Sequence, residues 1–204
     1  EETADKALDI VFQSPNPAIK IEFQGGEPLL NWPLIKYVVE KAEARNKVEQ
    51  RNLQFVITTT LSLATDEMLE YCRDHRIFLS SSLDGPEDLH NKNRPRPGRD
   101  SYARFVDGLE RARDIIGYDA VSALMTTSPS SMSRVKDIVD EYVRLGFSAI
   151  FLRHLSPYGF ALKTKSYQAY NAERWLEFFK EGLAYILELN KAGTIFVEQY
   201  STIL

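Results

Sequence analysis

Three stretches carry residues that could do chemistry. Gln24-Gly25-Gly26-Glu27-Pro28 sets two glycines, an acid and a proline directly after an alternating segment, Ile19 to Gln24. Paired glycines let a backbone approach a small molecule closely, Glu27 supplies a fixed anion, and Pro28 removes a donor and stiffens the exit. Ser80-Ser81-Ser82-Leu83-Asp84-Gly85-Pro86 crowds hydroxyls and an acid at the end of another apolar run, followed by Glu87 to Asn93 and then Arg94. Phe151-Leu152-Arg153-His154-Leu155-Ser156-Pro157 adds apolar surface and a histidine. Taken singly, the first stretch reads equally as a strand-to-helix bridge, the second as an Asp-Gly-Pro turn, and His154 as a structural residue.

The elements that must hold these residues follow from periodicity. Ala4 to Phe12 is an amphipathic helix closed by Ser14-Pro15-Asn16-Pro17, and Ile19 to Gln24 is a strand with Ile19, Ile21 and Phe23 on one face and Lys20, Glu22 and Gln24 on the other. Asn31 is the expected N-cap of a helix to about Asn46, and Leu53 to Thr59 is a buried strand. Thr65 caps a helix carrying Met68, Leu69 and Cys72 inward. Then come strand Ile77 to Leu83, a long loop, helix Tyr102 to Ile116, strand Val121 to Met125, helix Ser131 to Arg144, strand Ala149 to Leu155 and helix Glu173 to Asn190. Strands alternating with helices select an α/β fold of parallel strands, in which ligands gather at the carboxyl ends of the strands. The chemistry is therefore sought after Gln24, Thr59, Leu83, Met125 and Leu155.

Composition bounds the remainder. With 204 residues, 44% of them hydrophobic, the chain can bury a full core and reads as one domain. A net charge of -4 with dispersed Lys and Arg argues against nucleic acid. The basic run Lys92, Arg94, Arg96, Arg99 and Arg104 is interleaved with proline and glycine, as a solvated loop is. No apolar stretch reaches membrane-spanning length and there is no signal peptide, so no membrane partner and a cytoplasmic location are the defaults. Cys72, the single cysteine, is expected in the core, and it excludes a disulfide or a cysteine-built cluster made within this chain.

Together the motifs resemble the radical S-adenosylmethionine (SAM) enzymes, in particular the SPASM-type branch that matures peptides and proteins and includes the anaerobic sulfatase-maturating enzymes. The resemblance covers nearly the whole chain and implies a partial (βα)6 TIM-like barrel whose first strand is missing. It implies SAM as cofactor, with the methionyl ammonium held at Gln24, Gly25, Gly26 and Glu27 and the carboxylate at Ser82 and Arg94. Thr60 is a further polar contact, and Leu155, with Leu152 next in line, packs on the adenine. Where that branch has Thr-Asn-Gly, this chain reads Thr59-Thr60-Leu61, and a leucine does not freely take the positive φ of a glycine.

The resemblance further implies a [4Fe-4S] cluster in the complete protein, bound by a Cys-x-x-x-Cys-x-x-Cys loop expected with the first strand upstream of Glu1. A cysteine-rich domain with auxiliary clusters is expected downstream. Residues 1–204 would then be one incomplete core domain with no metal ligand and no acid-base catalyst, inactive in isolation. A peptide or protein substrate and an external one-electron reductant are the implied partners. The Thr59-Thr60-Leu61 variation and the segment Arg153 to Phe160 suggest a maturase of small ribosomal peptides, of the His-Xaa-Ser type. Three other readings stay open at this stage: a barrel that binds SAM or a peptide without radical chemistry, a basic site for acidic partners, and a phosphate-binding metabolic barrel, for which Ser156-Pro157-Tyr158-Gly159 is a poor phosphate loop.

Overall fold

The computed structural model describes residues 1–155 and 171–199. Ser156 to Phe160, part of the segment read as adenine-packing and subfamily-specific, lie outside the described residues. Two compact units emerge, Glu1–Ser81 with Val106–Ser122, and Ser82–Phe105 with Ala123–Leu204.

The first unit contains helix α1 (Glu2–Phe12), strand β1 (Ala18–Phe23), helix α2 (Trp32–Glu49), strand β2 (Asn52–Thr59), helix α3 (Asp66–Asp74) and most of strand β3 (Ile77–Ser82). It also holds the later part of helix α5 (Ser101–Ile116) and the start of strand β4 (Val121–Leu124). The strand order is β1-β2-β3-β4. Parallel registers pair Ile19 with Leu53 through Phe23 with Ile57, and Phe55 with Ile77 through Thr59 with Ser81. Ile19, Phe55, Ile57, Ile77 and Leu79 are buried, as are Ile35, Val38, Val39 and Ala42 of α2 and Leu69 and Cys72 of α3. Each such Val, Leu, Ile or Phe side chain withdrawn from water stabilises the fold by roughly 1.5–3 kcal/mol. The alternation read from Ile19 to Gln24 is therefore the alternation observed. On the opposite face of the sheet the Glu22 carboxylate accepts from Gln24 Nε2 at 2.6 Å and Thr58 Oγ1 at 3.0 Å and pairs with Lys20 at 3.2 Å.

The loops depart from expectation in instructive ways. Asn31 makes no capping bond; a 3-10 turn over Pro28–Asn31 precedes α2, and Glu27 caps it by accepting from Leu29 N at 3.2 Å. Thr65 does cap α3, accepting from Met68 N at 3.3 Å. Leu61 takes the left-handed conformation after all, with φ 62°, and is 1% exposed. The conformation costs a non-glycine residue about 1–2 kcal/mol, and burying the whole leucine side chain, worth about 1.5–3 kcal/mol, offsets it. Gly108 on α5 makes this possible, because a Cβ there would lie 2.7 Å from Leu61 Cβ and 2.9 Å from Leu61 O.

The second unit holds helix α4 (Glu87–Asn93), the start of α5, the end of β4, helix α6 (Val135–Arg144), strand β5 (Ala149–Ile150), helix α7 (Ala172–Lys191) and strand β6 (Val197–Glu198). The expected long loop thus contains a helix. At seven residues, with Leu89 and His90 its buried residues, α4 is too short to show a helical stripe in sequence. Helix α6 begins later than Ser131, because Ser131 Oγ accepts from Ser128 N at 3.2 Å and the turn continues with Arg134 N bonded to Ser131 O. Such local hydroxyl-to-backbone bonds compete with helix. Strand β5 keeps two residues of the expected seven and pairs in parallel with β6, Ala149 with Val197. Beyond it, Leu152 N donates to the buried carboxylate of Glu198 at 3.1 Å, and Arg153 O accepts from Thr127 Oγ1 at 2.6 Å. The backbone there is satisfied without a ladder. Tyr142, fully buried on α6, donates to Leu83 O at 2.7 Å and fixes the exit of β3. Glu141 of the same helix takes the Tyr102 hydroxyl and the Arg144 guanidinium.

Candidate functional site

In the first unit the glycine loop leaves β1 and meets the loop that leaves β2. Glu27 joins them. Its Oε1 accepts from Leu29 N and from Thr59 Oγ1 at 2.7 Å, and its Oε2 accepts from Thr60 N at 2.9 Å and Thr60 Oγ1 at 2.8 Å. Four donors fill the acceptor capacity of a carboxylate. Thr59 Oγ1 in turn accepts from Leu61 N at 3.2 Å, and Thr60 Oγ1 meets Ser62 Oγ at 2.9 Å. Glu27 is thus a fixed anion, as its position suggested, but fixed by the neighbouring loop. Thr60 faces Glu27. Thr59, which the sequence did not single out, is an equal partner, and the signal was present in its adjacency to Thr60. At both Gly25 and Gly26 nothing lies within 4 Å of where a Cβ would stand, so the loop backbone is open to a ligand. Gln24 is exposed and donates to Glu22.

In the second unit the residues after β3 form a closed cluster. Ser82 is half-buried. Arg94, at the end of α4, lays Nε and Nη2 on Asp84 Oδ2 and Oδ1 at 2.9 and 3.1 Å. Asp84 Oδ1 also accepts from Thr126 N at 3.1 Å, beyond the end of β4. The Asp84 side chain is 3% exposed and that of Arg94 30%. Asp84 N donates to His90 Nδ1 at 3.3 Å. With Nδ1 an acceptor, the neutral ring carries its proton on Nε2. Burial pushes the His90 pKa down to about 4, the Asp84 charge opposing that shift and Arg94 reinforcing it. Gly85, at φ 131°, permits the turn, since a Cβ there would sit 2.9 Å from Ile138 Cγ1. Asp84, His90 and Thr126, which the structure joins to Arg94, were not named as candidates from the sequence, although Asp84 stands inside the motif that drew attention to Ser82.

Of the residues proposed for the adenine, Leu152 is fully buried and Leu155 half-buried, which leaves Leu155 the accessible one. His154 is exposed, with its ring edge-on to Trp175 at 5.7 Å. Among the described residues no group of three His, Cys, Asp or Glu side chains could hold a metal ion. Cys72 is buried, and desolvation pushes its thiol up to about 12. No helix among the described residues is long and apolar enough to cross a membrane.

The family model described as the Radical SAM superfamily matches residues 1–142. The radical SAM cyclopropyl synthase TigE of Paramaledivibacter caminithermalis is 28% identical over 138 residues, covering 67% of this chain and 28% of that protein. The cysteine-type anaerobic sulfatase-maturating enzyme of Clostridium perfringens is 23% identical over 198 residues, covering 89% of this chain and 52% of that protein. The chain therefore spans about half or less of the length of these curated relatives. The solved structure of native anSMEcpe with bound AdoMet and Kp18Cys peptide superposes with a TM-score of 0.81 at 18% identity, covering 98% of this chain and 55% of that one. The likeness shows the fold, and the α/β class with parallel strands expected from the sequence is the one found.

Proposed function

This chain belongs to the radical SAM superfamily, and we propose that it is the SAM-binding core of an enzyme that modifies a peptide or protein. Its kinship with sulfatase-maturating enzymes supports a peptide or protein as substrate. The observation that carries the reading is the open Gly25-Gly26 backbone beside a Glu27 carboxylate locked by Thr59, Thr60 and Leu29. A loop held this way presents fixed carbonyl acceptors and a fixed negative charge, which complement an ammonium without reorganisation. Because the Glu27 oxygens are already filled, the backbone of Gln24, Gly25 and Gly26 takes the ammonium hydrogen bonds, and Glu27 supplies charge and rigidity. Ser82 and the unused donors of Arg94 take the carboxylate. Thr60 holds the second loop in place, and Leu155 covers the adenine.

When bound, SAM would supply a 5′-deoxyadenosyl group able to take a hydrogen atom from the substrate once an external one-electron reductant had cleaved its sulfonium bond. The chain's own residues bind and orient that cofactor and act as neither acid nor base. The described residues do not fit a [4Fe-4S] cluster, since thiolate ligation is the rule and the one cysteine is buried with a raised pKa. A second reading is a barrel that binds SAM or a peptide without radical chemistry. Anaerobic reconstitution of the parent protein with iron and sulfide, followed by reductant and SAM, separates the two. We expect 5′-deoxyadenosine above a no-protein control. SAM binding with an intact cluster but no 5′-deoxyadenosine would leave the binding-only reading.

A further inference from the structure

The geometry points to Asp84 as a positioning residue that decides which edge of Arg94 meets a ligand carboxylate; this rests on the carboxylate-binding role proposed above for Arg94. A guanidinium has two edges able to form paired hydrogen bonds to a carboxylate. One is the side edge, Nε with Nη2, and the other is the end, Nη1 with Nη2. Asp84 occupies the side edge completely, with bonds of 2.9 and 3.1 Å. The end of the fork is therefore the edge left for a ligand, and Arg94 retains partial exposure.

Asp84 can do this because it is itself fixed from three directions. Thr126 N holds Oδ1, its own N–H is anchored on His90 Nδ1, and the turn at Gly85 fits closely over Ile138. The buried His90 imidazole is neutral at physiological pH and adds no competing positive charge. A free arginine side chain would lose several rotors on meeting a ligand, and one already clamped loses few. The clamp also explains why a charged acid is kept at a site meant for an anion. Without the acid the guanidinium would retain its charge but lose its orientation.

The test compares SAM with its decarboxylated analogue on the purified chain with no iron added, so that side chains make the contacts to the carboxylate. The unchanged chain should prefer SAM. Arg94→Ala should abolish the preference and leave the affinity for the analogue as it was. Asp84→Asn should weaken SAM binding by about tenfold, the scale of one charge-assisted contact, again without affecting the analogue, and the double variant should bind SAM no worse than Arg94→Ala alone. Arg94→Lys, which keeps the charge and loses the fork, should behave like Arg94→Ala, and this holds even if Asp84→Asn does not fold. Equal weakening of both ligands by Asp84→Asn, unchanged SAM affinity in it, or full preference in Arg94→Lys overturns the role of Asp84. No preference in the unchanged chain, or a preference that survives Arg94→Ala, overturns the assignment of Arg94 and this inference with it.

Discussion

Glu27→Ala should lower the unfolding free energy of the chain by about 2–4 kcal/mol and weaken SAM binding by at least about tenfold. The stability effect follows from the four donors that converge on the carboxylate. Removing the acceptor leaves Thr59, Thr60 and Leu29 groups to find water in a part-buried loop, and hydrogen bonds to a charged partner contribute more than neutral ones. Glu27→Gln should fall between the two. Its amide retains an acceptor oxygen for one side but turns an NH2 group toward donors on the other. Denaturant midpoints and titration calorimetry with SAM read both effects. A Glu27→Ala chain as stable as the original would refute the view that this residue ties the two loops together.

The second large effect is on pH. In the folded chain the His90 pKa is pushed down to about 4 by burial, against about 6.5 for an exposed histidine. Between these values the unfolded chain binds a proton that the folded chain does not, so stability rises with pH across the window. The contribution is fully present above about 6.5 and is lost progressively as pH falls toward 4, amounting to about 3 kcal/mol in all. His90→Asn offers an amide oxygen in place of Nδ1 for Asp84 N and has no proton to gain. Its stability should change much less between pH 7 and 4, read from denaturant unfolding at fixed temperature. Parallel pH profiles for the two chains would show that His90 is not the group responsible.

Sequence reasoning found what periodicity and small motifs encode. The two faces of β1 and the cap at Thr65 were legible, because each depends on neighbours within a few residues. Bonds between distant segments were not. Nothing near Glu27 announces that Thr59 and Thr60 will fill its carboxylate, because register between β1 and β2 places them there. The same holds for Thr126, whose backbone N–H reaches Asp84 across 42 positions. Leu61 misled for a related reason. Its local preference argues against a left-handed turn, and the burial that stabilises the turn depends on Gly108, far along the chain. The short β5 was overestimated because a run of apolar residues looks the same whether its backbone joins a ladder or bonds to a buried Glu198.

The lone thiol has a use of its own as a timekeeper. Cys72 lies on the buried side of α3, and alkylating reagents attack thiolates, which a pKa near 12 makes scarce in the folded state. Its labelling should then be governed by how often α3 opens rather than by the chemistry of the reagent, as amide exchange is for a buried N–H. Mass spectrometry of timed alkylation would follow the opening of that one helix, with a sharp increase in rate only when denaturant releases it. Labelling at the rate of a free thiol in the native chain would show that α3 spends much of its time open.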